Sequence, residues 1–463
     1  MRVAIMGLAK SGLAAANLAL KLGFKVSVSD NCLSHGRTVE PSSAMLEKAK
    51  QLRSKGAYVE IGRHSRAFLE GADTLILSPG VSEDNEAVRW AQEMGIEAVG
   101  EVEFAIRYCK GKVVAITGTN GKTTTTSLIS HILDQAGIPH VTAGNIGVPL
   151  SEYALETTPE HVLVLEMSSF QLETIKEFSP AVSIWLNLTP DHLDRYQNIE
   201  AYRSAKENIF RHQKAGSTAI VWHQEKKNEQ NLISAFKLRP IWVDETGSDS
   251  EILNSDRAVL KDGRFTLSLG GKELSCGVPS EMLLKGRHNH INLLCAMAAA
   301  KVLGVDEETI RKACMTFKGL SHRIETVARI NDTVFVDDSK GTNPEATVEA
   351  VMAFDYPEAL ILGGYDKGSD YGMLIPYMQG KVSHVILIGA TTEKFQTIFG
   401  GEFPTVLAKT MKDAVQKGYE LMKDGGTVLL SPACASFDMY KSYEERGDDF
   451  ANLSRKLTQN LNK

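Results

Sequence analysis

Residues Val113–Leu133 read VVAITGTNGKTTTTSLISHIL: an apolar run, a glycine-bearing turn, then a Ser/Thr-rich amphipathic segment. This order predicts a strand, a loop and a helix N-terminus, in which backbone N–H groups and the helix dipole converge on an anion. Lys122 stands where a lysine meets terminal phosphates, and Thr123 places a hydroxyl where a nucleotide-bound Mg²⁺ sits. Gly118 and Gly121 permit backbone angles that other residues resist. The general string G-x-x-x-x-G-K-[ST] asks for glycine at position 116, and this chain has Ile116, so TGTNGKT is a shorter form of it.

Working outward, 463 residues are too many for one ordinary core and suggest about three domains at ~150 residues each. With 43% hydrophobic and 23% charged residues, the composition is that of a soluble globular protein. No apolar run is long enough to span a membrane, and MRVAIMGLAKSG lacks a signal-peptide pattern, so the expected compartment is the cytoplasm. A net charge of -6 argues against a nucleic-acid partner. The six cysteines form no CxxC pair, so neither a zinc site nor a disulfide framework is expected.

Ahead of the loop, residues 2–30 run strand, turn, helix, strand, the first unit of a Rossmann-like sheet. Its fingerprint, Gly7-Leu8-Ala9-Lys10-Ser11-Gly12, carries Ala9 where a second glycine lets backbone approach a pyrophosphate, which weakens a nicotinamide reading. Asp30 ends the second strand, placed either to accept from a ribose or base edge or to face solvent. Ser78-Pro79-Gly80 forms a turn after a further strand.

Beyond the loop, VLVLEMSSFQLE repeats the pattern of buried strand and terminal acid. Glu166 is either a Mg²⁺-holding carboxylate or a helix-start acid facing the dipole. Thr189-Pro190-Asp191 reads as a helix start. His192, taken alone, reads as a satisfied or solvent-facing histidine, and Lys206 as a solvated helix residue. Residues 213–281 turn β-rich, with IVWH, IWVD and RFTLSL as strands. Asn289 and Asn292 share one face of the following Ala-rich helix, as caps or as readers of an adenine edge. GLSHRIE marks a boundary, after which strands and helices alternate again. Asp337, Asp338, Lys340, Thr342 and Asn343 cluster in the first strand-to-helix loop there, and Lys367 sits in GGYDKG. The fold class expected is α/β in three domains: a Rossmann-like domain over 1–100, a central P-loop ATPase domain with a parallel-rich sheet over 101–320, and a Rossmann-like α/β domain over 321–463.

TGTNGKT, LEMSSFQLE, NLTPDHLDR with YRSAK, GRHNHINLLCA, HRIE, DDSKGTNP, LGGYDKG and SPACASFDMYKSYEERGDDF occur in a fixed order across essentially the whole chain. Together they resemble the Mur ligase family, and the last four its D-glutamate-adding members. That resemblance implies ATP-dependent joining of D-glutamate to UDP-N-acetylmuramoyl-L-alanine, by a monomer using two Mg²⁺ ions. Gly118, Thr119, Asn120, Gly121, Lys122, Thr123 and Thr124 would cradle the triphosphate, with Lys122 on the transferring phosphoryl. Thr123 and Glu166 would hold one Mg²⁺, and His192 another, together with Lys206 if that lysine carries the family's carbamate. Asn292 would reach the adenine, and Arg323 and Asp338 the phosphates and ribose. Lys340, Thr342, Lys367, Ser436, Phe437 and Tyr443 would receive D-glutamate. Ser11, Asp30, Asn31 and Gly80 would face the uridine end, and Asn145 and Gln171 the muramic acid. Cys32 departs from the family pattern beside the nucleotide. A nicotinamide-dependent oxidoreductase is the rival enzyme class, and it leaves the phosphate loop without a purpose.

Overall fold

In the computed structural model, all residues are described except 35, 36, 39, 80, 82–84, 192–194, 248–251, 253, 254, 276, 283, 285, 286, 355, 356, 367, 462 and 463. The described chain is α/β and forms two compact units: Met1–Glu281 with Ile291–Thr316, and Met282–His290 with Phe317–Lys463.

The first unit holds two sheets. One has five parallel strands in the order Tyr58–Ile61, Lys25–Asp30, Arg2–Met6, Thr74–Leu77, Glu97–Gly100. The other has nine: Lys272–Ser275, Arg264–Leu269, Arg257–Lys261, Arg239–Asp244, Thr218–Trp222, Val182–Trp185, Lys112–Thr117, Val162–Glu166, His140–Gly144. Its central strands read as unbroken apolar runs because helices cover both faces; Val114, Ala115 and Ile116 are completely buried. Each such side chain contributes about 1.5–3 kcal/mol when a Val or Ile is fully withdrawn from water. The antiparallel edge was only half anticipated: RFTLSL pairs with Arg257–Lys261 and Lys272–Ser275, two short strands whose burial does not alternate.

The two sheets of this unit are joined by buried acids. Helix Lys10–Lys21 packs on helices Glu101–Ile106 and Leu150–Tyr153. Glu101 accepts the Ser151 N–H at 2.7 Å, and Glu103 accepts the N–H groups of Lys176, Glu177 and Phe178 at 3.0, 3.0 and 3.1 Å. Arg107 lies 3.5 Å from the Glu103 carboxylate.

The second unit carries a six-stranded sheet ordered Glu325–Ile330, Thr333–Asp337, Gly426–Leu430, Glu358–Leu362, Val382–Leu387, Thr405–Leu407. It is parallel except for Glu325–Ile330, an antiparallel edge strand with a bulge that the HRIE reading treated only as a boundary. One helix start is corrected. The helix expected from Thr189-Pro190-Asp191 begins at Ile199, capped by the Asn198 side chain, because the Thr189 backbone is engaged elsewhere.

Candidate active site

The strand Lys112–Thr117 lies between Val162–Glu166 and Val182–Trp185, with Ile116 opposite Glu166 and Thr117 opposite Trp185. Ile116 is a buried strand residue, which explains why no glycine stands there. The turn that follows is crowded. At Gly118 (φ 148°) a Cβ would sit 2.9 Å from the Leu186 Cβ, and at Gly121 (φ 85°) it would sit 2.4 Å from the Asn292 Oδ1. Gly118 therefore requires glycine for angle and for space, and Gly121 for its angle, its crowding neighbour being the end of a side chain. Helix Lys122–Gln135 then starts at Gly121 with no side-chain cap, and its dipole favours an anion at that end.

Charge gathers here. Lys122 Nζ donates to the Gly118 and Thr119 carbonyls at 3.0 and 2.7 Å, and Lys206 Nζ donates to the Gly118 carbonyl at 2.8 Å. Lys206 is not the surface residue its local sequence suggested: it is 1% exposed, with its ammonium 4.6 Å from the Tyr202 ring centre. Burial, then the nearby Lys122 charge, hold it well below the ordinary lysine range, opposed by Asp191 and Glu166. Glu166 closes the site from the neighbouring strand. It ends that strand rather than starting the helix, which is capped by Ser168. Its Oε1 accepts from Asn145 Nδ2 at 2.9 Å, while its buried Oε2 has no hydrogen-bond partner among the described residues. Asn292 is no cap either: it lies inside helix Arg287–Val302, against Gly121, accepting from the Thr125 hydroxyl at 3.2 Å.

The first strand-to-helix turn is built differently. The Asp30 carboxylate accepts the Leu8 N–H at 2.6 Å and the Cys32 N–H at 2.8 Å, so it ties two loops together. Ser11 and Asn31 stand half-buried beside it. Gln171 uses its amide oxygen in a capping box with Ser168. Gly80, His192 and Lys367 lie outside the described residues.

In the second unit, Asp338 is buried and accepts from the Ser431 hydroxyl at 2.7 Å. Burial pushes its carboxyl up to about 7, against the pull of Ser431 and Arg323. The Lys340 ammonium lies 5.5 Å from the Tyr443 ring centre, and the Thr342 N–H returns to the Lys340 carbonyl at 2.9 Å. Ser436 is buried, and Phe437 is 58% exposed.

Family profiles match along the chain in the same order as these parts: a MurD-like Mur ligase N-terminal domain over residues 1–100, a Mur ligase middle domain over 116–300, and a Mur ligase glutamate ligase domain over 322–434. A protein of Salinibacter ruber named UDP-N-acetylmuramoylalanine--D-glutamate ligase is 40% identical, covering 98% of both chains. The chain belongs to the Mur ligase family. A Thermoanaerobacter sp. protein of the same name is also 40% identical over 98% of each chain. Among solved structures, the MurF ligase of Thermotoga maritima in complex with ADP is similar at TM-score 0.61 and 16% identity, covering 94% of this chain and 96% of that one. MurC of the same organism gives TM-score 0.57 at 19% identity, covering 99% and 100%. These likenesses are of fold.

In this Mur ligase the structure brings Lys122, Lys206, Glu166, Asn145 and Asn292 to one loop, and Asp338, Arg323, Lys340 and Tyr443 to another. Two residues were missed. Arg446 is 3% exposed and donates to the Ser339 carbonyl at 2.8 Å and the Cys434 carbonyl at 3.1 Å, tying the DDSKGTNP and SPACASFD loops together. Its signal was an arginine amid the acids of YEERGDD. Asn187 was read only as part of a motif, yet it bonds the phosphate loop at three points.

Proposed function

We propose that this Mur ligase uses ATP to join the amine of D-glutamate to the alanine carboxylate of UDP-N-acetylmuramoyl-L-alanine, releasing ADP and inorganic phosphate, in peptidoglycan precursor synthesis. The observation that carries the reading is the pairing of two lysines with an unpartnered buried carboxylate oxygen at an uncapped helix start. Such a site is built for concentrated negative charge shared with a cation.

A carboxylate is a poor acyl donor. One of its oxygens attacks the γ-phosphorus, the bond from that phosphorus to the bridging oxygen breaks, and ADP departs, leaving an acyl phosphate. The D-glutamate nitrogen then adds to the carbonyl carbon, giving a tetrahedral intermediate. The carbon–oxygen bond to phosphate breaks, and the nitrogen's proton passes to solvent. Lys122 stabilises the transferring phosphoryl, and the helix N–H groups orient the triphosphate. Holding the reactants in line is worth up to about 7–11 kcal/mol in favourable cases.

Mg²⁺ fits the residues present: Glu166 Oε2 is buried without a hydrogen-bond partner among the described residues, and Asn145 fixes its other oxygen. Thr123 and Glu166 would hold one ion, and His192 a second, with Lys206 as a carbamate. Bound there, Mg²⁺ offsets phosphate charge. A lysine whose proton affinity is lowered by burial is the chemically apt acceptor for CO₂, since only the neutral amine adds to it. Asn292, Arg323 and Asp338 serve the nucleotide. Lys340, Thr342, Lys367, Ser436, Phe437 and Tyr443 serve D-glutamate, whose two carboxylates call for cations and N–H donors. Ser11, Asp30, Asn31 and Gly80 serve the uridine end, and Asn145 and Gln171 the muramic acid. The domains are 1–100, 101–320 and 321–463, and the protein acts as a cytoplasmic monomer. Among the described residues no helix is long and apolar enough to cross a membrane.

The test is phosphate release with the UDP-linked muramoyl-alanine acceptor, comparing D-glutamate with L-glutamate, L-lysine and diaminopimelate. Release dependent on D-glutamate and abolished by chelation of Mg²⁺ is expected. Equal rates with diaminopimelate would reassign the amino acid, and no ATP consumption with any of them would remove the ligase reading.

A further inference from the structure

Past Trp185 the chain leaves its strand but keeps following the phosphate loop. The Leu186 N–H donates to the Thr117 carbonyl at 3.1 Å, and the Thr119 N–H to the Asn187 carbonyl at 2.9 Å. The Asn187 side chain adds three more bonds: its Oδ1 accepts the N–H groups of Asn120 at 2.8 Å and Thr119 at 3.2 Å, and its Nδ2 donates to the Asn120 carbonyl at 3.1 Å. One turn on, the Thr119 hydroxyl donates to the Thr189 carbonyl at 3.1 Å and accepts the Thr189 N–H at 3.0 Å. The first half of the loop is thus fastened along residues 186–189.

We infer that Asn187 is a positioning residue for the nucleotide: its side-chain amide fixes the Thr119–Asn120 backbone so that the helix-start N–H groups and Lys122 face the phosphates before ATP arrives. The reasoning follows from what the loop contains. Gly118 and Gly121 at positive φ leave this backbone with unusual freedom. A phosphate cradle has to be ordered before it binds, or binding supplies the ordering. A single amide carries both a donor and an acceptor, and here it closes on the donor and the acceptor of one peptide residue, Asn120. The same fastening holds the Thr189 backbone against the loop through the Thr119 hydroxyl.

This rests on the ATP reading, and the two are separable. ADP and ATP titrated calorimetrically into the wild-type protein with Mg²⁺ test the reading alone. Asn187→Ala then tests the inference. Its KM for ATP and its Kd for ADP should rise about tenfold, a loss on the scale of one to two ordered hydrogen bonds, while KM for D-glutamate and for the sugar nucleotide stay within twofold. Asn187→Asp keeps the acceptor for both N–H groups but sets a carboxylate beside the phosphate site, and should weaken ADP more than the alanine variant does. A residue that merely supported the fold would lower the melting temperature and shift the three KM values together. Unchanged ADP affinity in a folded Asn187→Ala protein, or aspartate binding ADP as well as wild type, would overturn the proposal. Should the alanine variant fail to fold, Asn187→Ser, whose side chain is too short to reach both the Asn120 N–H and its carbonyl, should raise the ADP Kd severalfold, and an unchanged Kd there would also overturn the proposal.

Discussion

Two glycine-bearing turns lead from a parallel strand into a helix in the first unit, one at Gly7–Gly12 and one at Gly118–Lys122, and their sequences look alike. Both helices begin without a side-chain cap. At the first turn, the Leu8 N–H goes to Asp30, an acid of the same sheet, and Lys10 reaches away to the Gly147 carbonyl. At the second, two lysines fold onto the loop's own carbonyls, and an acid stands beside them with one oxygen unpartnered among the described residues. The backbone motif is shared, and the chemistry differs because of which charges the neighbouring strands deliver.

The largest effect that sharpens this contrast is expected at Lys206. Lys206→Met removes the buried charge beside Lys122, and phosphate-release assays should show a fall in kcat of about 10³-fold, in the upper range for loss of one pre-oriented charge stabiliser. If the carbamate reading holds, short-chain carboxylic acids should restore part of that activity to Lys206→Ala. Lys10→Met, at the first turn, should change kcat by less than about threefold. Equal losses at the two lysines would erase the distinction.

Next in size is an exchange of glycine substitutions. In Gly12→Ala the new Cβ would lie 1.9 Å from the Gly7 carbonyl oxygen, backbone against backbone. It should cost about 3 kcal/mol by chemical denaturation, the upper range for overpacking. In Gly121→Ala the new Cβ meets the end of the Asn292 side chain at 2.4 Å, with φ at 85°. Asn292 can turn aside, so stability should fall by only about 1–2 kcal/mol, while KM for ATP rises about thirtyfold through the displaced amide and the reshaped loop. The first change is read mainly in the denaturation midpoint and the second mainly in nucleotide kinetics.

How far these differences were legible in the sequence follows from what each kind of residue reports. Periodicity and glycine spacing expose local backbone, so both turns, their helices and the central parallel strands could be read directly. Ile116 was read as a departure from the general motif, and the fold explains it as a buried strand position. Burial of a single polar residue is set by distant chain and is invisible locally. Lys206 lies 88 residues from the carbonyl it bonds, and Arg446 lies 107 from Ser339. Only the ordered motifs of the family connected such positions. Polar edge strands such as Lys272–Ser275 escaped because solvent exposure removes the alternation that marks a strand. The helix placed at Thr189-Pro190-Asp191 failed because capping residues were weighed without knowing that Thr189 was already bonded to Thr119.

A smaller effect is expected at Asp30. Asp30→Asn leaves one side-chain oxygen for the two N–H groups of Leu8 and Cys32, which should cost about 1 kcal/mol of stability. If Asp30 also touches the sugar nucleotide, KM for that substrate should rise severalfold while KM for ATP holds. A stability loss with unchanged KM would make Asp30 a fastening between two loops and nothing more, which would widen the gap between the two turns.

The gentlest probe is pH. Burial and the neighbouring Lys122 depress the Lys206 proton affinity in the folded chain, whereas the unfolded lysine titrates near 10.5. Between those two values the folded state binds fewer protons than the unfolded one, so its stability rises with pH across that window and the deficit is greatest below it. In CO₂-depleted buffer without nucleotide, the wild-type denaturation midpoint should therefore climb from pH 7 to pH 9 relative to that of Lys206→Met, with a slope no steeper than about 1.4 kcal/mol per pH unit. Saturating bicarbonate should flatten the difference, because a carbamate replaces the ammonium with an anion beside Lys122. Parallel pH profiles for wild type and variant would mean that Lys206 keeps its ordinary proton affinity, and the phosphate loop would then differ from the first turn in the number of its charges but not in their burial.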